Sequence, residues 1–298
     1  MNFKQRFFGK CILAGEHSVL RGSSALVFPL RHFFMDLEYE ERQSFLELQK
    51  GGDFPEGLEF CVSPLLDQAL GNLDKKREDL RGVLRINSFI PFGAGLGASA
   101  VLSVALSCLM RAKKWLKDEE AVQGFSTQLE NIFHGTSSGM DVAAVLKEQP
   151  LLYQEGIIKQ LLPLPQNPCR LFLSYSGALS STSFAVKKVK DFFIKYPEKG
   201  KETDKDMEYS VSLIQKALYE VGDRKQQNLQ IKQAFDLAAG CFIAWDLMSA
   251  DLTEHINKLK SWGALAAKPT GSGEGGFVIS LWEEAPPSHK GVNFIPLF

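Results

Sequence analysis

A glycine-rich segment in the middle of the chain has the composition of a phosphate-binding loop. It runs from Pro91 to Ala100 with the sequence PFGAGLGASA and lies between two apolar runs. Glycines lack a Cβ atom, so backbone N–H groups can approach phosphate oxygens closely. A helix that begins at the end of the loop would add unpaired N–H donors and the positive end of its dipole. The hydroxyl of Ser99 in that first turn could contact phosphate or Mg²⁺.

The residues of this loop are also compatible in part with other kinds of glycine-rich segment. A Walker A loop is excluded because no Gly-Lys-Ser or Gly-Lys-Thr follows. The spacing Gly93-x-Gly95-x-x-Ala98 satisfies the dinucleotide fingerprint, which needs a second strand ending in an acid about 20 residues later. The two segments that follow have helical patterns instead. A glycine-rich turn that only packs a helix remains an alternative for the loop by itself.

The loop is one of three glycine-bearing segments. Lys268–Gly276 (KPTGSGEGG) precedes an apolar run, and Gly9-Lys10 and Gly15-Glu16-His17 lie near the start. Together the three segments resemble the three motifs of the GHMP kinases, a superfamily of small-molecule kinases. Their order and spacing match over nearly the whole chain, so the resemblance is specific.

Within that superfamily the sequence is most similar to the mevalonate kinases. Glu130–Asp141 (ENIFHGTSSGMD) is similar to the stretch that carries their metal-binding glutamate and catalytic aspartate, and the Gly-Gly-Met-Asp-Gln stretch expected of galactokinases is absent. The chain departs from the pattern at Ala98, where a first serine is usual, and at Val142, where asparagine is usual. Asp141-Val142-Ala143 is closer to phosphomevalonate kinases, which leaves the acceptor open. Glu274 puts an acid in the third loop, and we expect it to point to solvent.

The resemblance implies an α+β fold of two domains, with mixed sheets covered by helices and the active site in the cleft between the domains. It implies ATP as co-substrate, Mg²⁺ as cofactor and mevalonate as the hydroxyl-bearing acceptor, with a homodimer as a compatible assembly. The residues that it assigns to the nucleotide are Pro91, Gly93, Ala94, Gly95, Leu96, Gly97, Ala98, Ser99, Gly271, Ser272 and Gly273.

The resemblance also implies roles for charged residues. Asp141 would accept the proton of the acceptor hydroxyl, although an aspartate after Ser-Gly could equally be a helix N-cap. Lys10 would lie beside Asp141 and keep it ionised; the alternative is a surface lysine. Glu130 and Ser99 would hold Mg²⁺, which prefers oxygen ligands, whereas Glu130 could instead be an ordinary exposed helix residue.

Three further residues are assigned to the acceptor pocket. Glu16 and His17 would lie near the acceptor, although a lone histidine is often a packed polar residue. Thr182, in Ser180-Ser-Thr-Ser183, would approach the phosphoryl group, although a run of hydroxyl residues is often a turn or cap.

Hydrophobic periodicity predicts the elements that must position these residues. Strands are predicted at 11–13, 25–30, 35–39, 83–90, 170–175 and 277–282, and helices at 58–70, 98–115, 118–133, 210–221, 235–248 and 252–262. The charged stretch Pro197–Asp206 is predicted to be an exposed loop. Three prolines between Pro163 and Pro168 suggest a boundary between domains at 1–165 and 166–298.

Composition narrows the class of protein. The formal net charge of the 298 residues is -1, which does not favour a nucleic-acid or membrane surface as the main partner. Five widely spaced cysteines without a CxxC pair indicate reduced thiols, and hence a cytoplasmic protein, more than a disulfide framework or a zinc site. The uncharged stretch 86–110 is interrupted by glycines and a proline, so we do not expect it to span a membrane.

Four functions remain as hypotheses: a mevalonate kinase, a phosphomevalonate kinase, a decarboxylase of the same fold, and a non-catalytic binding protein. An acceptor that already bears a phosphate should need extra Lys or Arg, and no such cluster stands out. The stretch Glu130–Asp141 disfavours the decarboxylase. A non-catalytic homologue should have lost Lys10, Asp141 or Ser99, and all three are present.

Overall fold

The structure is a computed structural model that describes residues 1–51, 57–135, 137–166, 168–220, 222–289 and 291–298. Val221, at which we predicted a helix to end, and Thr136 of the Glu130–Asp141 stretch lie outside the described residues. The first half of the chain forms β1 (Asn2–Ala14), β2 (Ala25–Glu41), β3 (Glu47–Gly51), α1 (Leu58–Gly71), β4 (Gly82–Ser88), α2 (Ala98–Ala112), α3 (Glu119–His134) and α4 (Met140–Lys147).

The second half forms β5 (Leu151–Gln154), β6 (Ile157–Leu161), β7 (Arg170–Tyr175), α5 (Thr182–Lys195), α6 (Pro197–Tyr219), α7 (Arg224–Ala244), α8 (Ala250–Ser261), β8 (Ala266–Pro269), β9 (Phe277–Trp282) and β10 (Ile295–Pro296). Helices and mixed sheets confirm the predicted α+β class. The strands predicted at 170–175 and 277–282 have the predicted bounds.

The chain forms two compact units, and each is discontinuous in sequence. The first unit contains Met1–Lys10, Pro29–Phe92 and Gly97–Glu148. The second unit contains Cys11–Phe28, Gly93–Leu96 and Gln149–Phe298. The domain boundary that we placed at residue 165 from the prolines stays a prediction.

In the first unit, a sheet supports helices that are largely apolar. β4 pairs antiparallel with β2, from Met35 opposite Ser88 to Glu41 opposite Gly82, and parallel with β3. Every residue of α2 from Ala100 to Met110 is buried, as the nearly continuous apolar run predicted. Helix α2 contacts α1, α3 and α4, so its burial comes from helices on several sides.

The second unit has an antiparallel sheet in the order β10-β7-β9-β8. Helix α8 packs against this sheet through Leu252, Ile256 and Leu259, which contact Val278 and Trp282 in one apolar cluster. Helices α6 and α7 pack against each other, and α7 also contacts β8. β8 and β9 flank the third glycine-rich loop, so this core holds both ends of that loop.

The predicted loop at Pro197–Asp206 is wrong, because these residues form the first turns of α6. Pro197 is at the start of the helix, where proline has no backbone hydrogen bond to lose. The buried residues Gly200, Thr203 and Met207 recur at helical spacing beneath the charged ones. The helical period was missed because the many charged residues outnumber the three small or apolar residues that repeat at helical spacing.

Within the described part of the chain, we find no helix that combines the length and the apolar character required to cross a membrane.

Candidate active site

Strand β1 and helix α4 of the first unit bring Lys10 and Asp141 into contact. The Nζ atom of Lys10 lies 2.9 Å from Oδ2 of Asp141. The Lys10 side chain is 3% exposed, whereas that of Asp141 is 23% exposed. The carboxylate is therefore held by a buried cation on one side and still accessible on another. This combination suits a group that must exchange a proton with a bound molecule.

The structure decides against the alternatives that the residues alone left open for this pair. The N-cap of α4 is Gly139, not Asp141, which lies in the first turn of the helix. Lys10 is a buried residue rather than a surface lysine.

Gly97 provides the room that the Lys10 side chain occupies. A Cβ atom at Gly97 would lie 3.0 Å from Cγ and 3.1 Å from Cε of Lys10. Gly97 also has a φ of 82° as the N-cap of α2, a conformation that favours glycine. The last glycine of the predicted phosphate loop thus has two steric reasons to be glycine that are independent of phosphate. The predicted nucleotide role of Gly97 and of Ser99, in the next turn, stays a prediction.

Glu130 is a buried carboxylate near Asp141. It is 1% exposed near the end of α3, so it is not an ordinary exposed helix residue. Burial raises the pKa of Glu130, and the negative charge of Asp141 raises it further. A hydrogen bond from Ser137 and the charge of Lys10 act in the opposite direction. Two neighbouring carboxylates that share the influence of one lysine form a site at which a further cation would be favoured.

The turn before α4 is held by side chains at the end of α3. The Ser137 Oγ atom donates to Oε2 of Glu130 at 2.5 Å, and the Ser137 backbone N–H donates to Oδ1 of Asn131 at 2.6 Å. The Gly139 N–H donates to Oγ of Ser137 at 3.1 Å. This network joins α3 to the first turn of α4, which carries Asp141.

In the second unit, residues 93–96 of the middle loop pack directly on the third glycine-rich loop. A Cβ atom at Gly95 would lie 2.8 Å from the Thr270 carbonyl oxygen, and one at Gly271 would lie 2.9 Å from Cα of Gly95. The Phe277 N–H donates to the carbonyl oxygen of Ala94 at 3.2 Å. These glycines therefore allow two backbones to approach each other, whatever they also do for phosphate.

Glu16 and His17 lie in the interior of the second unit. Nζ of Lys268 lies 2.5 Å from Oε1 of Glu16, and the two side chains are 0% and 1% exposed. Nε2 of His17 donates to the Ser272 carbonyl oxygen at 2.9 Å. The His17 ring lies edge-on to Trp245, and burial lowers the pKa of His17 to about 4. Their contact with an acceptor stays a prediction; the described contacts support the third glycine-rich loop.

Thr182 and Glu274 lie at the two sides of the same loop region. Thr182 is half-buried in the first turn of α5, and Ser180 nearby donates its hydroxyl to the Gly93 carbonyl at 2.9 Å. Glu274 does not simply point to solvent as we expected. Its Oε1 atom accepts from Nζ of Lys188 at 2.6 Å, and Lys188 also donates to Asp246 at 2.9 Å. The acid in the loop is thus neutralised by a lysine from α5.

Sequence reasoning gave no role to Ser137, Asn131, Lys268 or Lys188. Ser137 and Asn131 lay within the stretch quoted for the resemblance, and Lys268 opened the third loop. The lysine that opens the third glycine-rich loop was the signal that could have prompted a search for an acidic partner such as Glu16. Lys188 is separated from Glu274 by 86 residues, so no local pattern links them.

Comparisons with known proteins show what the sequence and the fold of this chain are similar to. The family model described as the GHMP kinases N terminal domain matches residues 64–149. The chain is 26% identical to a mevalonate kinase of Thermococcus sibiricus, over 92% of this chain and 87% of the relative. Its fold is similar to that of the L. major mevalonate kinase solved with R-mevalonate, with a TM-score of 0.76, 23% identity and coverage of 99% of this chain and 96% of the other.

Similarity of fold does not distinguish a kinase of mevalonate from a kinase of phosphomevalonate. The Streptococcus pneumoniae phosphomevalonate kinase is also similar, with a TM-score of 0.69, 18% identity and coverage of 95% of this chain and 92% of that protein. Fold similarity of this kind is shared by kinases of different substrates. The three motifs, the family model over residues 64–149 and the relatives nevertheless agree on one conclusion: the chain is similar to the GHMP kinases.

Proposed function

We propose that the protein transfers the γ-phosphoryl group of ATP to the hydroxyl group of mevalonate, giving 5-phosphomevalonate and ADP. The contact between Lys10 and Asp141 is the observation that carries the proposal. A partly exposed carboxylate held by a buried lysine can accept a proton and stabilise developing negative charge, which suits phosphoryl transfer to an alcohol. The relatives that match most of the chain support mevalonate as the acceptor.

The reaction follows from the placement of this pair. An oxygen of Asp141 accepts the proton of the acceptor hydroxyl while the hydroxyl oxygen forms a bond to the γ-phosphorus. The bond from that phosphorus to the β–γ bridging oxygen breaks, and its electron pair leaves with ADP. Lys10 pairs with the Asp141 carboxylate before the transfer and offsets the negative charge that develops on the acceptor oxygen.

The residues present fit a magnesium ion. Glu130 is a buried carboxylate beside a second carboxylate, so a cation would stabilise its charged form. In the described residues there is no group of three or more His, Cys, Asp or Glu that could form a complete cage. Kinases usually hold Mg²⁺ through one or two protein ligands together with phosphates. We assign Glu130 and the Ser99 hydroxyl to this ion, which would neutralise charge on the transferred phosphoryl group.

The nucleotide is assigned to the middle and third glycine-rich loops. In the second unit Gly95 packs on the backbone of Gly271, and Gly97 to Ser99 continue the middle loop into α2. The start of a helix and glycine backbones that lack side chains suit bound phosphate. Because Gly95 and Gly271 also pack on each other, we expect substitution of either to impair the loop itself as well as nucleotide binding.

The departure at Val142 does not argue for phosphomevalonate. Val142 and Ala143 are fully buried on α4, so they pack in the core of the first unit rather than contact an acceptor. Glu16, His17 and Thr182 remain our assignment for the acceptor side. The five cysteines all have free thiols, which supports a reducing, cytoplasmic setting.

The proposal is tested by ADP release from ATP with a panel of acceptors: mevalonate, phosphomevalonate, galactose and homoserine. We expect turnover with mevalonate and a kcat/KM at least 100-fold lower for the others, because a site built for one set of polar groups strongly rejects acceptors that lack them, by on the order of 10⁴. Higher kcat/KM with any other acceptor would overturn the assignment. Formation of 5-phosphomevalonate is checked by mass spectrometry, so ATP hydrolysis alone would not count as transfer.

A further inference from the structure

The hydroxyl of Ser137 is placed between two groups that the proposed reaction depends on. It donates its single proton to Oε2 of Glu130 at 2.5 Å and accepts the N–H of Gly139 at 3.1 Å. A serine hydroxyl has one donor and two acceptor sites, so both contacts can exist at once. A hydrogen bond to a carboxylate is among the stronger ones in proteins and fixes the orientation of the carboxylate.

The backbone of Ser137 is fixed as well. Its N–H donates to Oδ1 of Asn131 at 2.6 Å, and Asn131 follows Glu130 directly on α3. Ser137 is therefore attached to the end of α3 by two hydrogen bonds, one from its side chain and one from its backbone. The backbone hydrogen bond to Asn131 keeps the turn next to the end of α3, and so keeps the hydroxyl within reach of Glu130.

The second contact leads to Asp141. Gly139 is the N-cap of α4 and has a φ of 76°, and Asp141 lies in the first turn that follows. Gly139 offers no side-chain cap, so the Ser137 hydroxyl supplies the hydrogen bond that holds its N–H. One hydroxyl thus joins the proposed metal ligand to the start of the helix that carries the proposed base.

We propose that Ser137 is a positioning residue of the phosphoryl-transfer site: its hydroxyl orients the Glu130 carboxylate for Mg²⁺ and sets the start of α4 that presents Asp141. This inference rests on the proposed function, because it assigns Ser137 to the same site. Loss of a group that hydrogen-bonds to a metal ligand typically lowers metal affinity or activity by about 10- to 100-fold.

The test compares Ser137→Ala with Ser137→Thr and with a matched control, Ser126→Ala. Ser126 also lies on α3, but its hydroxyl donates at 2.7 Å to the carbonyl of Val122 in its own helix. Calorimetry measures ATP affinity with excess Mg²⁺ and with EDTA, and steady-state kinetics with mevalonate give kcat and the Mg²⁺ concentration for half-maximal rate.

We expect Ser137→Ala to reduce the gain in ATP affinity that Mg²⁺ confers, and kcat, each by about 10-fold or more. Its ATP affinity in EDTA should stay within twofold of the unchanged protein. Ser137→Thr, which keeps a hydroxyl, should restore both quantities to within about threefold, and Ser126→Ala should change neither. Ser137→Cys, a nearly isosteric weak donor, should give intermediate values and serves if the alanine variant does not fold.

An equal loss of affinity with and without Mg²⁺, or an effect no larger than that of Ser126→Ala, would overturn the positioning role and leave Ser137 a structural turn residue. The affinity measurements do not depend on the acceptor. If the unchanged protein binds ATP with Mg²⁺ but does not phosphorylate mevalonate, the proposed function fails while the inference on Ser137 is still decided by binding.

Discussion

Two lysine–carboxylate pairs, one in each compact unit, use the same residue types in different surroundings. Lys10 and Asp141 lie 2.9 Å apart with the carboxylate 23% exposed, whereas Lys268 and Glu16 lie 2.5 Å apart with both side chains at most 1% exposed. The first carboxylate is partly accessible, whereas the second is enclosed. Exposure of the carboxylate side chain therefore separates a pair suited to chemistry from a pair suited to holding a loop in place.

The loss of stability on removal of one partner should be larger for the enclosed pair than for the partly exposed pair. Removing one partner of a fully buried pair leaves an uncompensated charge without water. A carboxylate that is partly exposed can be hydrated when its partner is removed, so the loss of stability is smaller. We therefore expect substitutions at the first pair to impair turnover and substitutions at the second to impair folding.

The largest expected effect is on turnover at the first pair. Asp141→Asn keeps the size of the side chain and removes its ability to accept a proton, so kcat should fall by about 10²- to 10⁴-fold with ATP affinity nearly unchanged. Lys10→Met should also lower kcat, and the double variant should be only slightly worse than the worse single one, because groups that act as a unit are not additive. Steady-state kinetics with mevalonate and circular dichroism check this. Retention of more than about a tenth of the rate by Asp141→Asn would exclude it as the base.

The next effect is on stability at the second pair. Lys268→Met removes the cation that pairs with the buried Glu16 carboxylate and should lower the free energy of unfolding by about 3–5 kcal/mol. Replacing both partners, Lys268→Met with Glu16→Leu, should restore much of this loss, because an apolar pair avoids the desolvation cost. Urea denaturation measures both variants beside Lys10→Met. The comparison fails if Lys10→Met loses as much stability as Lys268→Met.

His17, next to Glu16, should make the enclosed region sensitive to acid. Its pKa is lowered to about 4 in the folded protein, because burial disfavours the charged ring. Between that value and its ordinary 6.5 the unfolded chain binds more protons, so stability is complete above pH 6.5 and is lost as the pH falls. The expected loss from pH 7 to pH 4.5 is about 2–3 kcal/mol.

His17→Gln tests this prediction, since glutamine can still donate to the Ser272 carbonyl. Chemical denaturation at pH 7 and pH 4.5 gives the change in stability for each protein. Between pH 7 and pH 4.5 the free energy of unfolding of the variant should fall by about 2–3 kcal/mol less than that of the unchanged protein. An identical pH dependence in both proteins would show that other groups cause acid unfolding.

The smallest effect is expected at Glu274, where a lysine neutralises the acid of the third loop. Because Lys188 and Glu274 are 28% and 20% exposed, their pair should contribute at most about 1 kcal/mol. Glu274→Gln should therefore change ATP affinity by less than about fivefold. Lys188→Met should weaken ATP binding more than Glu274→Gln does, because it leaves the acid unneutralised. Calorimetric titration with ATP measures both, and the reverse order would show that Lys188, not the pair, contributes to binding.

Much of the fold was predictable because its signals are local. Continuous burial of α2 follows from an unbroken run of apolar and small residues, and the strands at 170–175 and 277–282 follow from short apolar runs next to glycine or proline. The start of α6 was not predicted, because Gly200 and Thr203 carry the buried face there and neither is strongly apolar. When small residues form the buried face of a helix, the sequence shows no apolar period, and the face is identified only from the packing of a partner helix in the structure.

The sequence by itself determined the motifs and, with them, the residue types available for chemistry: three glycine-bearing segments, Lys10, Glu130 and Asp141. Only the tertiary structure decided which carboxylate belongs to which lysine, that Lys188 neutralises Glu274, and that Ser137 joins Glu130 to Gly139. The physical reason is that a residue type sets what a group can do, whereas its charge state and accessibility depend on neighbours that come from distant parts of the chain. Lys10 and Lys268 have identical side chains, and the fold alone makes one the partner of a partly exposed carboxylate and the other the partner of an enclosed one.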